Sequence, residues 1–172
     1  VALGEQGKYA EAIEAYDEAI RLDPEDVNAW YNKGVALVEQ GKHAEAIQAY
    51  DEAIRLDPED VNAWYNKGVA LVEQGKHAEA IQAYDEAIRL DPEYVNAWHN
   101  KGVALVEQGK YAEAIEAYDE AIRLDPEYVN AWNNKGVALG EQGKYAEAIE
   151  AIDEAIRLDP EDVNAWYNKG VA

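Results

Sequence analysis

The sequence predicts an all-α protein made of tandem helix pairs, and three observations point there. Proline occurs only at Pro24, Pro58, Pro92, Pro126 and Pro160, and tryptophan only at Trp30, Trp64, Trp98, Trp132 and Trp166, so both recur every 34 residues. That is the period of a repeat array. Apolar residues inside each period fall at helical spacing, and glycine and proline punctuate the period at fixed places. Four whole units result, 27–60, 61–94, 95–128 and 129–162, with partial units at 1–26 and 163–172; residues 1–172 are expected to form a single array.

Within 61–94, Ala63, Trp64, Gly68, Leu71 and Val72 share one helical face, which defines a first helix. Glu73-Gln74-Gly75-Lys76 carries the turn, with Gly75 where a helix end needs a left-handed residue. Ala80, Ile81, Tyr84, Ala87 and Ile88 then define a second helix, which Leu90-Asp91-Pro92-Glu93 breaks. Asp91 is expected to cap the helix that follows, and Asp51/Arg55 and Asp85/Arg89 to pair along the second helices at i, i+4.

The spacing of Trp64, Gly68, Ala80, Tyr84, Ala87 and Pro92 resembles the tetratricopeptide repeat pattern, and it recurs along the whole chain. The resemblance implies a tetratricopeptide repeat solenoid, a right-handed superhelix of antiparallel helix pairs, with first helices on the concave face and second helices on the convex one. Stacking is also a physical need, since one pair cannot bury both sides of its apolar stripe. Gly68 and Ala80 are expected to permit close approach, with Trp64 and Tyr84 as core beside them. Two departures recur or stand alone: lysine at Lys33, Lys67, Lys101, Lys135 and Lys169 in place of the family's leucine, and Ile152 in place of the aromatic at Tyr16, Tyr50, Tyr84 and Tyr118. The lysine stem is expected to cover apolar surface while its ammonium reaches water.

Composition narrows the chemistry. The 172 residues contain no cysteine, serine or threonine, which removes disulfides, thiolate metal sites and the usual acyl-transfer nucleophiles. A non-enzymatic protein without cofactor or metal is expected, in a reducing cytoplasm. His43 and His77 stand where Tyr9, Tyr111 and Tyr145 stand in other units, and so read as packing residues. The carboxylates lack the spacing of a calcium loop. No apolar run approaches the roughly 18 residues that cross a bilayer, and Val1-Ala2-Leu3 lacks the basic start of a signal peptide. A net charge of -21 repels nucleic acid and anionic membrane, so the expected partner is a neutral or basic protein or peptide.

The binding candidates lie on another face of the first helices. Asn62, Tyr65, Asn66 and Val69 are spaced i, i+3, i+4 and i+7, and the set recurs as Asn28, Tyr31, Asn32 and Val35, as Asn96, His99, Asn100 and Val103, and as Asn130, Asn133, Asn134 and Val137. In the family this stripe looks into the concave groove. An asparagine amide both donates and accepts, so a column of them suits the backbone of an extended peptide. Asn32, Asn66, Asn100 and Asn134 resemble the asparagine ladder of the O-linked N-acetylglucosamine transferase superhelix; the competing reading is that the amides solvate the face or bond between adjacent units. The family's carboxylate clamp needs Lys and Arg here and is absent. Tyr94 and Tyr128 add aromatics near the edge of the stripe.

Val1 begins at the ninth position of a unit and Ala172 stops at the tenth, so the two ends are complementary. An alternative expectation follows: Val163 and Trp166, on an incomplete first helix, seek the N-terminal end of another copy, giving a head-to-tail homo-oligomer that extends as a fibre.

Overall fold

Glycine and proline set the element boundaries where the period places them. The computed structural model describes residues 8–172. Among these are ten α-helices and no strand: α1 (Tyr9–Leu22), α2 (Val27–Glu39), α3 (His43–Leu56), α4 (Val61–Glu73), α5 (His77–Leu90), α6 (Val95–Glu107), α7 (Tyr111–Leu124), α8 (Val129–Glu141), α9 (Tyr145–Leu158) and α10 (Val163–Val171). The expectation for Val1-Ala2-Leu3 and the complementary N-terminal end falls outside the described residues. Two compact units are present, Val1–Asp91 holding α1 to α5 and Pro92–Ala172 holding α6 to α10. Among the described residues no helix is long and apolar enough to cross a membrane.

Inside each pair the turn is a Schellman closure. Gly75 takes φ +69°, its N–H donates to Val72 O at 2.8 Å, and Lys76 N–H donates to Leu71 O at 2.9 Å. A side chain at that φ is strained, hence the glycine. Between pairs, the Asp57 carboxylate accepts from the Glu59 amide at 3.1 Å, and the indole N–H of Trp64 donates to Pro58 O at 3.1 Å. The cap of the next helix comes three residues after the first aspartate: Asp60 Oδ1 accepts from Asn62 N–H at 2.9 Å and from Ala63 N–H at 3.2 Å.

This corrects the expectation that Asp91 caps α6. The N-cap there is Tyr94, which supplies no side-chain acceptor, and Tyr128 likewise precedes α8. At both starts the third amide turns to the backbone instead, Ala97 N–H to Tyr94 O and Ala131 N–H to Tyr128 O, each at 3.0 Å.

The core of each pair is a ring set into a glycine notch. Tyr50, Tyr84 and Tyr118 are buried, and a Cβ on Gly68 would lie 2.5 Å from Tyr84 Cε1. Gly68 therefore admits the partner's aromatic ring. Ile152 takes the ring's place in the last pair and packs its Cγ1 against Gly136. The tryptophans border the core as expected: Trp64 is half-buried, packs against the Ala53, Ile54 and Ala63 cluster, and has its N–H tied to the proline turn.

The repeated lysine explains the outer side of that indole. Lys67 Nζ lies 5.3 Å from the Trp64 ring centroid and 2.6 Å from Asp51 Oδ1 on the preceding α3. The ammonium is thus paired as well as stacked. The same link joins Lys33 to Asp17, Lys135 to Asp119 and Lys169 to Asp153. Asp51 does not pair with Arg55 as its spacing suggests; Arg55 bonds Glu52 at 2.8 Å and Arg89 bonds Glu86 at 2.7 Å, one turn back. The Asp51 carboxylate is taken instead by the lysine of the next helix.

Candidate functional site

The N-terminal half of each first helix carries the asparagine stripe, and stacking brings residues 35 apart into contact. In the first unit, Asn66 Nδ2 donates to the Tyr31 hydroxyl at 3.0 Å and to the Asn62 backbone carbonyl at 2.9 Å. Asn32 Nδ2 donates to Asn28 O at 2.8 Å. Tyr31 also packs against Tyr50, with ring centroids 6.0 Å apart, and Tyr65 against Tyr84 at 5.9 Å. Burial, then the Asp60 carboxylate, pushes the Tyr31 phenol up, so it stays protonated through neutral pH. Asn28 and Asn62 are exposed, and Val35 and Val69 half-buried.

In the second unit the same position is His99, which is buried. Its Nδ1 lies 3.1 Å from Asn100 Oδ1, and its Nε2 lies 3.0 Å from Asn134 Nδ2. An amide oxygen accepts, so Nδ1 carries the hydrogen and Nε2 receives one from Asn134. Burial pushes the His99 pKa down, against the smaller effect of Asn100, and keeps the ring neutral. Tyr118 faces the ring at 5.8 Å and Tyr128 meets it edge-on at 5.0 Å, while the Tyr128 hydroxyl donates to Asn96 Oδ1 at 3.4 Å. Asn133, also buried, accepts from Asn168 Nδ2 at 3.0 Å. Asn130 is exposed.

Val103, Val137 and Asn134 border one hollow of about 190 Å³, completed by Val106, Glu107 and Tyr118. The last three were not among the sequence candidates. Their period-34 recurrence is visible in the sequence, but nothing local says that they face the stripe. Tyr128 was legible as an edge aromatic, and its contact with His99 was not.

The structure separates the remaining candidates from the stripe. Val163 and Trp166 sit on α10 and are exposed. His43 and His77 are half-buried in the aromatic position, and their Nδ1 atoms are buried without a hydrogen-bond partner. Among the described residues, no three His, Cys, Asp or Glu side chains converge to hold a metal.

Helix pairs joined by proline turns, each ring seated in its partner's glycine notch, define a helical-repeat protein. Family models for the tetratricopeptide repeat match residues 1–61, 36–95, 83–116, 102–143 and 129–162, and the chain belongs to that family. No curated protein matches the chain. Among solved structures it is similar to MamA, with TM-score 0.90 and 26% identity, over 93% of this chain and 94% of that one. It is also similar to YrrB, a TPR protein with an unusual peptide-binding site, with TM-score 0.87 and 25% identity, over 98% and 87% of the two chains. The MamA of Desulfovibrio magneticus RS-1, from residue 41 to its end, shares the fold at TM-score 0.88 and 23% identity, over 94% and 92%.

Proposed function

We propose that the protein is a non-enzymatic scaffold binding an extended, neutral or basic peptide along the first-helix stripe, through its asparagines and aromatic residues. Repeat arrays of this family present their first helices as binding surfaces for protein partners. The observation that carries the reading is the hollow between Val103 and Val137, with Asn134 at its wall and Glu107 at its rim. Its size suits one aliphatic side chain, the amide offers a hydrogen bond to the adjacent backbone, and the carboxylate favours a neighbouring lysine or arginine. The peptide-binding site of YrrB agrees with this reading. A chain without Ser, Thr or Cys offers no ordinary nucleophile for turnover, and its acidic surface selects against acidic ligands. A reducing cytoplasm suits such a chain.

Selection from a displayed random peptide library tests it. The protein should enrich sequences with an aliphatic residue beside a base, and Val103→Asp with Val137→Asp should abolish that enrichment while the helical circular dichroism persists. Unchanged enrichment by the double variant defeats the reading.

A second reading, head-to-tail assembly of copies, draws on the end helices. Trp166 is 52% exposed and Val163 is 77% exposed on α10. On α1, Ala15 is exposed where Ala49, Ala83, Ala117 and Ala151 are buried. Inside the array the equivalent residues, Trp132 and Ala151, belong to one apolar cluster within a helix pair. Sedimentation at rising concentration should show growing species that Trp166→Asp abolishes; a monomer throughout discards the reading.

A further inference from the structure

Lysine in place of the family's leucine shapes a second face of the protein. Lys101 Nζ lies 5.4 Å from the Trp98 ring centroid, and Lys135 Nζ lies 5.5 Å from that of Trp132 while bonding Asp119 at 2.6 Å. Beside each stacked pair the second unit keeps a hollow. The one walled by α6 and α7 measures about 520 Å³, with half-buried Trp98 and buried Leu105 and Ala117 as its apolar floor. Trp132, Leu139 and Ala151 repeat that floor in a hollow of about 530 Å³ walled by α8 and α9. Asp119 lines the first hollow and Lys135 the second, so their bond joins the two. At about 100° per residue, Trp98, Lys101 and Leu105 stand about half a turn away from Asn96, His99, Asn100 and Val103. This face is therefore not the asparagine stripe.

Its acids are only partly neutralised. Asp119 and Glu120 pair with Lys135 and Arg123, and Asp153 and Glu154 with Lys169 and Arg157. Glu113 and Glu116 at the first hollow, and Glu147 and Glu150 at the second, are exposed, and among the described residues their side chains have neither hydrogen bond nor ion pair. The first unit carries Gln48 and Gln82 where Glu116 and Glu150 stand. An indole and aliphatic floor below two unspent carboxylates complements a long basic side chain, whose stem packs on the floor while its head meets the rim. We propose that this face of the second unit docks a basic segment of a partner protein, with one lysine or arginine side chain entering each hollow. Two adjoining hollows call for two side chains on one backbone, and a net charge of -21 draws such a segment in. The docking does not depend on the stripe reading.

The affinity of the full chain for a capped, fluorescein-labelled Arg-Ala-Arg-Ala-Arg peptide tests this, in about 0.15 M salt, where charges beyond about 8 Å are screened. Glu116→Gln with Glu150→Gln gives both hollows the glutamine of the first unit and should weaken binding about threefold to tenfold, the worth of two exposed ion pairs. Glu127→Gln with Glu161→Gln removes the same charge from exposed acids of the proline turns and should change binding less than about twofold. Equal effects from the two variants overturn the proposal, because net charge alone then accounts for the attraction, and so does a natural chain that fails to bind. A linear tetraamine that binds as tightly as the peptide, with the same loss in the first variant, overturns a protein segment as the occupant.

Discussion

Replacing Gly68 by alanine should destabilise the first unit, although alanine is the better helix former. The added Cβ would lie 2.5, 2.8 and 2.9 Å from Tyr84 Cε1, Cδ1 and Cζ. Ordinary carbon contacts are about 3.5–4.0 Å, so the ring must retreat by about 1 Å. Tyr84 is only 1% exposed, on a helix whose Ala80, Ala83 and Ala87 are buried, and it has no free space to enter. Overpacking of this kind costs about 1–3 kcal/mol, and helix propensity returns about 1 kcal/mol, leaving a net loss of up to roughly 2 kcal/mol. Tyr84→Ala alone should cost about 3–5 kcal/mol by analogy with other large aromatics. In the double variant the clash has gone and the propensity gain remains, so the two changes should couple favourably by roughly 2 kcal/mol. Urea denaturation of the four proteins followed by circular dichroism measures the cycle. A clearly stabilising Gly68→Ala, or changes additive within about 0.5 kcal/mol, would refute the notch account.

Asp60→Ala removes the acceptor for two amides at the start of α4 and should cost about 1 kcal/mol, read as a lower urea midpoint. His99 binds protons less readily folded than unfolded, so its contribution to stability is complete above the unfolded pKa of about 6.5 and is lost as pH falls through and below it. The groups facing it are Asn100, Tyr118, Tyr128 and Asn134. Denaturation at pH 7.5 and pH 5 should therefore show a larger loss for the natural chain than for His99→Tyr; equal losses would contradict the buried neutral ring. Between residues 27 and 60 there are seven acids and three bases. Raising sodium chloride should screen that repulsion and raise the thermal midpoint, and a steady fall would argue against it.

The helices and turns were legible because their causes are local. Gly75 must sit where φ turns positive, Pro92 cannot continue a helix, and the i, i+3, i+4 spacing puts Asn62, Tyr65 and Asn66 on one face. Contacts between neighbouring elements were harder to read. Asp51 has a base four residues on in its own helix and another sixteen on in the next, and only the packed geometry selects Lys67. The cap was misplaced because Asp-Pro-Glu offers an aspartate three residues early, where it closes the turn instead, as Asp57 does with Glu59. The stripe itself was visible, yet the direction of each amide was not: the sequence does not say that Tyr31 and Asn66, 35 residues apart, share a hydrogen.

The uncapped starts of α6 and α8 alter where the protein yields. Asp26, Asp60 and Asp162 clamp the amides that open their helices, whereas Tyr94 and Tyr128 leave the Asn96 and Asn130 amides without a side-chain acceptor on the cap residue. Opening one of these first turns breaks no side-chain cap bond, whereas opening an aspartate-capped counterpart does, so the second unit carries two helix starts that open without losing such a cap. At the seam before α8, the unlatching turn would take the Tyr128 ring away from His99 and its hydroxyl away from Asn96. Breathing of a helix end and exposure of the buried imidazole are thereby one event, so anything that grips this edge would also act as the missing clamp.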